Sequence, residues 1–359
     1  MTINLPRPLA EATRLTREGR LAEATTLLRD QLGGALGSMK AGVAPAGTQA
    51  QPGMLDRLRG LVGGVRAPNP GPLPTGARFE ERRYAAAAGA RPYKLYVPSS
   101  YRAGRAVPLL VMLHGCKQNP DDFAAGTRMN EFAESEGFLV AYPGQISAVN
   151  AALCWNWFET SHQRRDFGEA SLLAGITREV MAEFAVDADR VYVAGLSAGG
   201  AAAAIMGAAY PDLFAAIGVH SGLACGAARD MNSAFSVMRD GPAASAAATS
   251  APPIPAIVFH GDADRTVNPS NGDAVTAQAL GASDGVSAVT EQGRSPGGVA
   301  YTRVVRSRGG HAVAEHWTLH GSGHAWAGGS ADGSYTDPRG PDASRAMVRF
   351  FNAQRRRGA

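Results

Sequence analysis

The sequence predicts an α/β protein with a mostly parallel central sheet and helices on both faces, and three observations support this prediction. Short, continuous apolar segments recur between residues 79 and 320, with the lengths typical of buried strands. Helical patterns separate several of them, and alternation of strands and helices indicates a parallel sheet. The apolar fraction of 45% in a chain of 359 residues provides enough hydrophobic side chains for a sizeable core.

The chain divides into three predicted parts. Residues 1–32 contain two short runs of leucine and alanine at helical spacing, with Gly19 between them, and predict a helical hairpin. Residues 33–76 are rich in Gly, Ala and Pro, which is typical of a linker. Residues 77–359 carry the strand and helix pattern and form the predicted α/β domain.

Eight strands and three helices are predicted in this domain. The strands are Phe79–Ala85, Tyr93–Val97, Pro108–His114, Phe138–Tyr142, Val191–Ala194, Ala215–His220, Ala256–His260 and His316–His320. The helices are Ala170–Phe184, Ala198–Ala209 and Asp342–Phe351. Sheets of this kind bind ligands beyond the carboxyl ends of their strands, so we expect the functional residues in the loops that follow the strands.

Composition and charge exclude several classes of protein. The net charge of +4 is small, and no basic segment rich in aromatic residues indicates nucleic-acid binding. No apolar run approaches the ~20 residues of a membrane span. The N-terminus has no continuous apolar segment of the signal-peptide type, so the sequence alone predicts a cytoplasmic location. Three cysteines are too few for a disulfide scaffold, and no Cys/His cluster has zinc-ligand spacing, so no metal site is expected.

The strongest motif is Gly-Leu-Ser-Ala-Gly at residues 195–199. A predicted strand precedes it and an alanine-rich helix follows, which is the context of the nucleophile elbow in α/β-hydrolases. Such an elbow holds the serine in a strained turn above the sheet, and Gly195 and Gly199 allow the strand and the helix to approach each other. We therefore predict that Ser197 is a nucleophile.

A serine needs an acid–base partner, and in this fold the acid and then the histidine follow it along the chain. Asp262 and Asp264 both follow the strand that ends at His260, and the pattern H-G-x-x-D favours Asp264 as the acid. Asp262 then has a structural role in the turn. His324 lies in a glycine-rich loop and His320 ends a strand, so the more mobile position favours His324 as the base.

An oxyanion hole requires two backbone N–H groups aimed at the developing negative charge. One is expected from Ala198, directly after the serine, and the other from Cys116, in the loop after an early apolar strand. His114 precedes this loop and is expected to hold it through hydrogen bonds.

Five motifs in this order resemble the poly(3-hydroxybutyrate) depolymerase family of esterases, over about residues 79–351. They are Leu113-His114-Gly115-Cys116, Cys154-Trp155-Asn156-Trp157-Phe158, the serine motif from Gly195 to Gly200, His260-Gly261-Asp262-Ala263-Asp264, and His324-Ala325-Trp326. The resemblance implies a serine carboxylic ester hydrolase with an α/β-hydrolase domain, a triad of Ser197, Asp264 and His324, and no cofactor. The expected substrate is a hydroxyalkanoate ester, either a soluble ester or a polyester.

The same resemblance leaves three questions open. The family includes esterases that act on feruloyl and acetyl groups of plant polysaccharides, and serine peptidases of this fold use the same triad. Family members are often extracellular, which conflicts with the location that the N-terminus indicates. The motifs place Cys116 and Cys154 near the active site, either as a disulfide or as two buried thiols, and leave Cys225 over.

Aromatic residues in these motifs are candidates for the walls of a cleft. Trp155 and Trp326 are expected to contact substrate, whereas Trp157 and Phe158 are expected in the core. Residues 229–253, rich in Ala and Ser, predict a cap or rim segment near the site. The sequence indicates no oligomeric state and no particular acyl or alcohol group.

Overall fold

The computed structural model describes residues 73–242, 253–281 and 284–356. The predicted helical hairpin, residues 1–32, lies outside the described residues, as does the predicted linker up to residue 72.

One sheet of ten strands forms the centre of the described part of the chain. Its strands are β1 (Arg78–Ala86), β2 (Gly89–Val97), β3 (Val107–Leu113), β4 (Leu139–Pro143), β5 (Val186–Leu196), β6 (Ala216–His220), β7 (Ala256–Gly261), β8 (Val286–Arg294), β9 (Ala300–Arg308) and β10 (His311–Leu319). Their order across the sheet is β1-β2-β4-β3-β5-β6-β7-β10-β9-β8.

The six central strands, from β4 to β10 in this order, pair in parallel. Antiparallel pairs close both edges, with β2 and β1 on one side and β9 and β8 on the other. The prediction of a mostly parallel sheet is therefore confirmed. Because the central strands are parallel, the loops after β3, β5, β7 and β10 all lie at one edge of the sheet.

Helices cover both faces of the sheet. They are α1 (Pro120–Thr127), α2 (Met129–Glu136), α3 (Gly168–Glu183), α4 (Ala198–Ala209), α5 (Met231–Asp240), α6 (Ser270–Leu280) and α7 (Ala343–Asn352), with a 3-10 turn at Thr160–Gln163 and a short strand pair, β11 (Trp326–Ala327) and β12 (Thr336–Asp337). One hydrophobic cluster packs the sheet against α3 to α6, and a second packs it against α1, α2 and α7. This two-faced coverage is the layered architecture that the sequence pattern predicts.

All eight predicted strands and all three predicted helices are present, but the sequence did not indicate the β8–β9 hairpin. Most residues of β8 are exposed, and every residue of β9 is half-buried. Edge strands of this kind carry polar residues at many positions, so they lack the apolar pattern used to find strands. The helices α1, α2, α5 and α6 were also not predicted.

Candidate active site

Ser197 lies at the turn between β5 and α4. Its backbone has φ 56° and ψ −120°, a conformation that residues with a side chain rarely adopt. The Ser197 N–H donates to the His220 carbonyl of the neighbouring strand at 2.9 Å, and its own carbonyl accepts from the Ala201 N–H at 2.9 Å. The turn is therefore held from both sides, as a nucleophile elbow requires.

Two glycines make this turn sterically possible. A Cβ on Gly195 would lie 2.3 Å from the Gly199 carbonyl, and a Cβ on Gly199 would lie 2.0 Å from the Leu113 carbonyl oxygen. Gly115, in the loop after β3, approaches the serine closely, because a Cβ there would lie 3.6 Å from the Ser197 Cβ. The loop proposed to complete the oxyanion hole is thus adjacent to Ser197.

Asp264 and His324 are brought together by the loops after β7 and β10. His324 Nδ1 lies 2.7 Å from Asp264 Oδ2, while Asp264 Oδ1 accepts the N–H groups of Thr266 at 2.8 Å and Val267 at 2.9 Å. The Asp264 side chain is fully buried. An ionised Asp264 can only accept, so His324 donates through Nδ1 and leaves Nε2 as a proton acceptor.

The Asp264 carboxyl stays ionised despite its burial. Desolvation alone would raise its pKa, but contacts with His260 and His324 and the Val267 N–H outweigh it and hold the pKa well below its usual range. His260 Nε2 lies 3.5 Å from Asp264 Oδ2 and 2.9 Å from the Val267 carbonyl oxygen. This second imidazole beside the acid was missed at the sequence level, where the motif served only to locate Asp264.

The two rejected candidates, Asp262 and His320, form a separate pair. His320 Nδ1 lies 2.8 Å from Asp262 Oδ2, and the Gly321 N–H donates to Asp262 Oδ1 at 2.7 Å. His320 Nε2 lies 2.9 Å from the Thr302 hydroxyl. Both side chains are more than 40% exposed, at 43% and 41%, whereas those of His324 and Asp264 are 12% and 0% exposed. The Asp264–His324 pair is therefore buried, whereas the Asp262–His320 pair is exposed.

The buried pair lies beside the serine turn. Val267, whose N–H binds Asp264, lines the same cavity as Ser197. Within the described residues, the Ser197 hydroxyl and His324 do not form a hydrogen bond with each other. Catalytic hydrogen bonds are often long before substrate binds and shorten in the complex, so this arrangement is compatible with general base chemistry.

Cys116 and Ala198 both line this cavity, and neither of their backbone N–H groups donates a hydrogen bond to another described residue. The surrounding loop is fixed by other bonds, since the Gly115 N–H donates to Gln118 Oε1 at 2.9 Å and the Lys117 N–H donates to the Ala152 carbonyl at 2.7 Å. An oxyanion hole requires two such free donors, and a fixed loop and a helix N-terminus are suitable places for them.

His114 also fixes this loop, through hydrogen bonds of both ring nitrogens. Its Nδ1 donates to the Gly115 carbonyl at 2.7 Å, and its Nε2 accepts the Gln145 N–H at 3.1 Å. The ring is buried, and its centroid lies 5.5 Å from that of Trp155, with the two ring planes tilted by 43°. Both ring nitrogens are used by the protein, which fits a structural role.

Cys116 and Cys154 form a disulfide, and Cys225 is a buried free thiol. The bond joins the loop after β3 to the segment before the 3-10 turn, and both cysteines line the cavity. Of the two alternatives left open by the sequence, the structure contains the disulfide.

We expect the Cys154→Ser variant to lose about 4 kcal/mol of unfolding free energy, because the bond closes a loop with a sequence separation of 38 residues. Urea unfolding without reductant measures this loss, and wild-type protein in dithiothreitol should match the variant. Denatured, unreduced wild-type protein should show one free thiol, Cys225. A count of three free thiols would contradict the disulfide.

The cavity beside Ser197 has a volume of about 250 Å³. Trp157 and Phe158 form part of its wall, with their rings edge to face and centroids 5.9 Å apart. One face of α5 forms another part of the wall, within the segment that was predicted as a cap or rim. Residues 243–252 of that segment lie outside the described residues.

The expectation that Trp155 and Trp326 contact substrate is wrong. Both indoles are only 1% exposed. Trp155 Nε1 donates to the His114 carbonyl at 3.1 Å, and Trp326 Nε1 donates to the Ser344 hydroxyl at 3.1 Å. Trp157 and Phe158 are buried in the first hydrophobic cluster, as expected, and they also line the cavity.

Three buried histidines predict sensitivity to acid. Burial lowers the pKa of His114 to about 4, that of His220 to about 3, and also that of His316. In the unfolded chain the histidine pKa values are about 6.5, so on acidification the unfolded state binds protons before the folded state does. The contribution of these histidines to the unfolding free energy is therefore fully present above this pH and is lost as the pH drops towards about 4.

When the pH is lowered from about 7.5 to about 5, we expect the unfolding free energy to fall by ~2 kcal/mol for each of His114 and His220. Urea titrations at the two pH values measure the change. Equal stability at both would contradict the burial of neutral imidazoles.

No group of three or more His, Cys, Asp or Glu side chains suited to a metal ion occurs in residues 73–242, 253–281 and 284–356. Within these same ranges, no helix combines the length and the apolar character needed to cross a bilayer.

Comparison with known proteins identifies the family. Residues 91–299 match the family model described as esterase PHB depolymerase. Poly(3-hydroxyalkanoate) depolymerase C of Paucimonas lemoignei is 32% identical over 240 residues, which are 64% of this chain and 57% of that protein. Feruloyl esterase B of Neurospora crassa is 34% identical over 130 residues, which are 36% of this chain and 43% of that protein.

A solved acetyl xylan esterase from Aspergillus awamori shares the fold, with a TM-score of 0.58 over 76% of this chain and 99% of that one, at 18% identity. The chain spans about half the length of the curated relatives it matches. The α/β-hydrolase fold and the resemblance found in the sequence are both confirmed. Since the family model covers more than half of the sequence, the chain belongs to the PHB depolymerase family of esterases.

Proposed function

We propose that this protein is a serine carboxylic ester hydrolase that works through an acyl-enzyme on Ser197. The observation that carries the proposal is the buried Asp264–His324 hydrogen bond next to a strained serine turn. Nucleophile, acid and base follow one another along the chain in the order used by this fold. The PHB depolymerase family assignment supports the same reaction.

In the first half of the reaction, His324 Nε2 takes the proton from the Ser197 hydroxyl as the oxygen attacks the ester carbonyl carbon. The Asp264 carboxylate keeps the imidazole in the correct tautomer and stabilises its cationic form. The negative charge on the former carbonyl oxygen is held by the N–H groups of Cys116 and Ala198. When the ester C–O bond breaks, the leaving alcohol takes the proton from His324.

In the second half, water replaces the alcohol. His324 removes a proton from the water as its oxygen attacks the acyl carbon, and the same N–H groups hold the oxyanion. The bond to Ser197 then breaks, the serine oxygen recovers the proton, and the carboxylic acid leaves. No metal or cofactor is required for either half.

A hydroxyalkanoate ester is the proposed substrate class, in line with the name of the Paucimonas lemoignei relative. Feruloyl and acetylxylan esters are the alternative, since other relatives carry these names. A peptidase on the same fold is a further alternative. The Cys116–Cys154 disulfide supports the proposal that the protein works in an oxidising compartment rather than in the cytoplasm.

A substrate panel tests this function. We expect turnover of p-nitrophenyl esters and of hydroxybutyrate oligomers, and little turnover of aminoacyl p-nitroanilides. Methyl ferulate and acetylated xylan separate the polysaccharide esterases from the depolymerases. Preference for the anilides over the matched esters would overturn the proposal in favour of a peptidase.

A further inference from the structure

The cavity beside Ser197 has a wall chemistry that the family assignment does not explain. Its lining is almost entirely apolar, and in the described residues Ser197 and Asn150 supply the only hydroxyl or amide side chains in it. A hydroxyl or sugar group placed deep in such a space would find few hydrogen-bond partners, and an unpaired buried polar group is costly. The walls therefore favour an apolar group.

The position of the cavity indicates which half of the ester enters it. Ser197, Cys116 and Ala198, which form the bond and hold the oxyanion, all line the cavity, but His324 is not among its lining residues. The leaving alcohol must lie next to the base, because it takes its proton from that imidazole. The cavity thus begins at the carbonyl carbon that Ser197 attacks and extends away from the leaving alcohol. It lies on the acyl side of the ester.

One helix face determines the width of the cavity. Met231, Ala234, Phe235 and Met238 recur on α5 at intervals of three and four residues, and all four line it. Ala234 is the small member, and its side chain is 2% exposed. The two methionines have flexible side chains that adapt to ligands of different shape.

We propose that this cavity is an acyl pocket that selects apolar acyl groups of about six to eight carbons, straight or aromatic, with Ala234 setting its width and Met238 its depth. Its volume of about 250 Å³ exceeds the ~150 Å³ of an apolar cavity that takes up benzene. Acetyl and hydroxybutyryl groups fill only part of this space. The inference rests on the proposed ester hydrolase function and specifies its acyl group.

A series of p-nitrophenyl esters with acyl chains from acetate to laurate tests the pocket, because the leaving group stays constant. Each methylene that becomes buried should raise kcat/KM about fourfold, until the pocket is full. Hexanoate has four more methylenes than acetate, so full burial of all four should raise kcat/KM by about 250-fold over acetate. Laurate should gain nothing beyond octanoate.

Two variants move the optimum in opposite directions. Ala234→Leu narrows the pocket and should lower the octanoate-to-acetate ratio of kcat/KM by about tenfold, whereas Met238→Ala deepens it and should shift the optimum to longer chains. Ser236→Leu is the matched control, because Ser236 is an exposed residue of the same helix outside the lining face, and its ratio should equal that of the wild type. If Ala234→Leu does not fold, Met238→Ala still tests the pocket.

The outcomes separate this inference from the proposed function. Turnover of all esters with the highest kcat/KM on acetate, or ratios that neither variant changes, would overturn the acyl pocket and leave the hydrolase intact. Absence of turnover on every ester by folded protein would overturn the proposed function itself.

Discussion

Ser197→Ala is expected to lower kcat/KM for p-nitrophenyl esters by a factor on the order of 10⁴ to 10⁶. The variant lacks the only atom that can form the acyl-enzyme in this site, and the remaining groups of a triad contribute little without it. The oxyanion donors and the cavity stay in place, so the residual rate should still exceed the uncatalysed reaction.

The variant must be compared at equal folded fraction. Ser197 adopts a positive φ that alanine tolerates no worse than serine, so thermal unfolding should be close to that of the wild type. Ser322→Ala is a useful control, since Ser322 is another buried serine at this edge of the sheet. A Ser197→Ala enzyme that keeps more than about a tenth of wild-type activity would contradict the assignment.

Asp264→Asn is expected to lower kcat by about 10⁴. An asparagine at this position keeps the shape of the side chain but removes the charge that stabilises imidazolium. Its amide can also donate to His324 Nδ1, which reverses the tautomer and places the proton on Nε2, where the serine proton has to go.

The exposed pair provides a matched control for this effect. Asp262→Asn makes the same chemical change in the other Asp–His pair, which is formed by the loops after the same two strands, β7 and β10. Since Asp262 and His320 are over 40% exposed and form hydrogen bonds with neighbouring loops, we expect kcat to change by no more than about threefold. Steady-state kinetics on one ester measures all variants. A larger loss from Asp262→Asn than from Asp264→Asn would exchange the roles of the two pairs.

Much of the site was predictable because its signals are local in sequence. The elbow depends on residues 195–199 and on the strand and helix that flank them, and the close contacts of Gly195 and Gly199 explain why glycine is needed there. The order of acid and base along the chain follows from the fold. Burial, which distinguishes Asp264 from Asp262, depends on strands that are distant in sequence.

The errors at the site have the same origin. A tryptophan two residues from a proposed base is near the site in sequence, but the Ser344 hydroxyl and the His220 ring fix Trp326 inside the second hydrophobic cluster. Its side chain is therefore unavailable to substrate. Helix α5, which walls the cavity, did have a local signal, since Asp230 and Ser233 form a capping box at its start.

The fold shows a similar limit at its edges. The buried parallel strands were found because both of their faces require apolar side chains. The β8–β9 hairpin packs at the border of the sheet, and its four arginines and the exposed Glu291 resemble the residues of a loop. Pairing with β10 fixes β9 as a strand, and this pairing is not visible in the sequence of β9 itself.

The covalent step on Ser197 is the central claim, and trapping it is the most direct test. The protein is incubated with an alkyl phosphonate that carries a p-nitrophenyl leaving group, and the peptides are then analysed by mass spectrometry. We predict one adduct for each chain, on the peptide that contains residue 197, and no adduct in Ser197→Ala. An adduct on another serine, or undiminished labelling of the Ser197→Ala variant, would contradict the account.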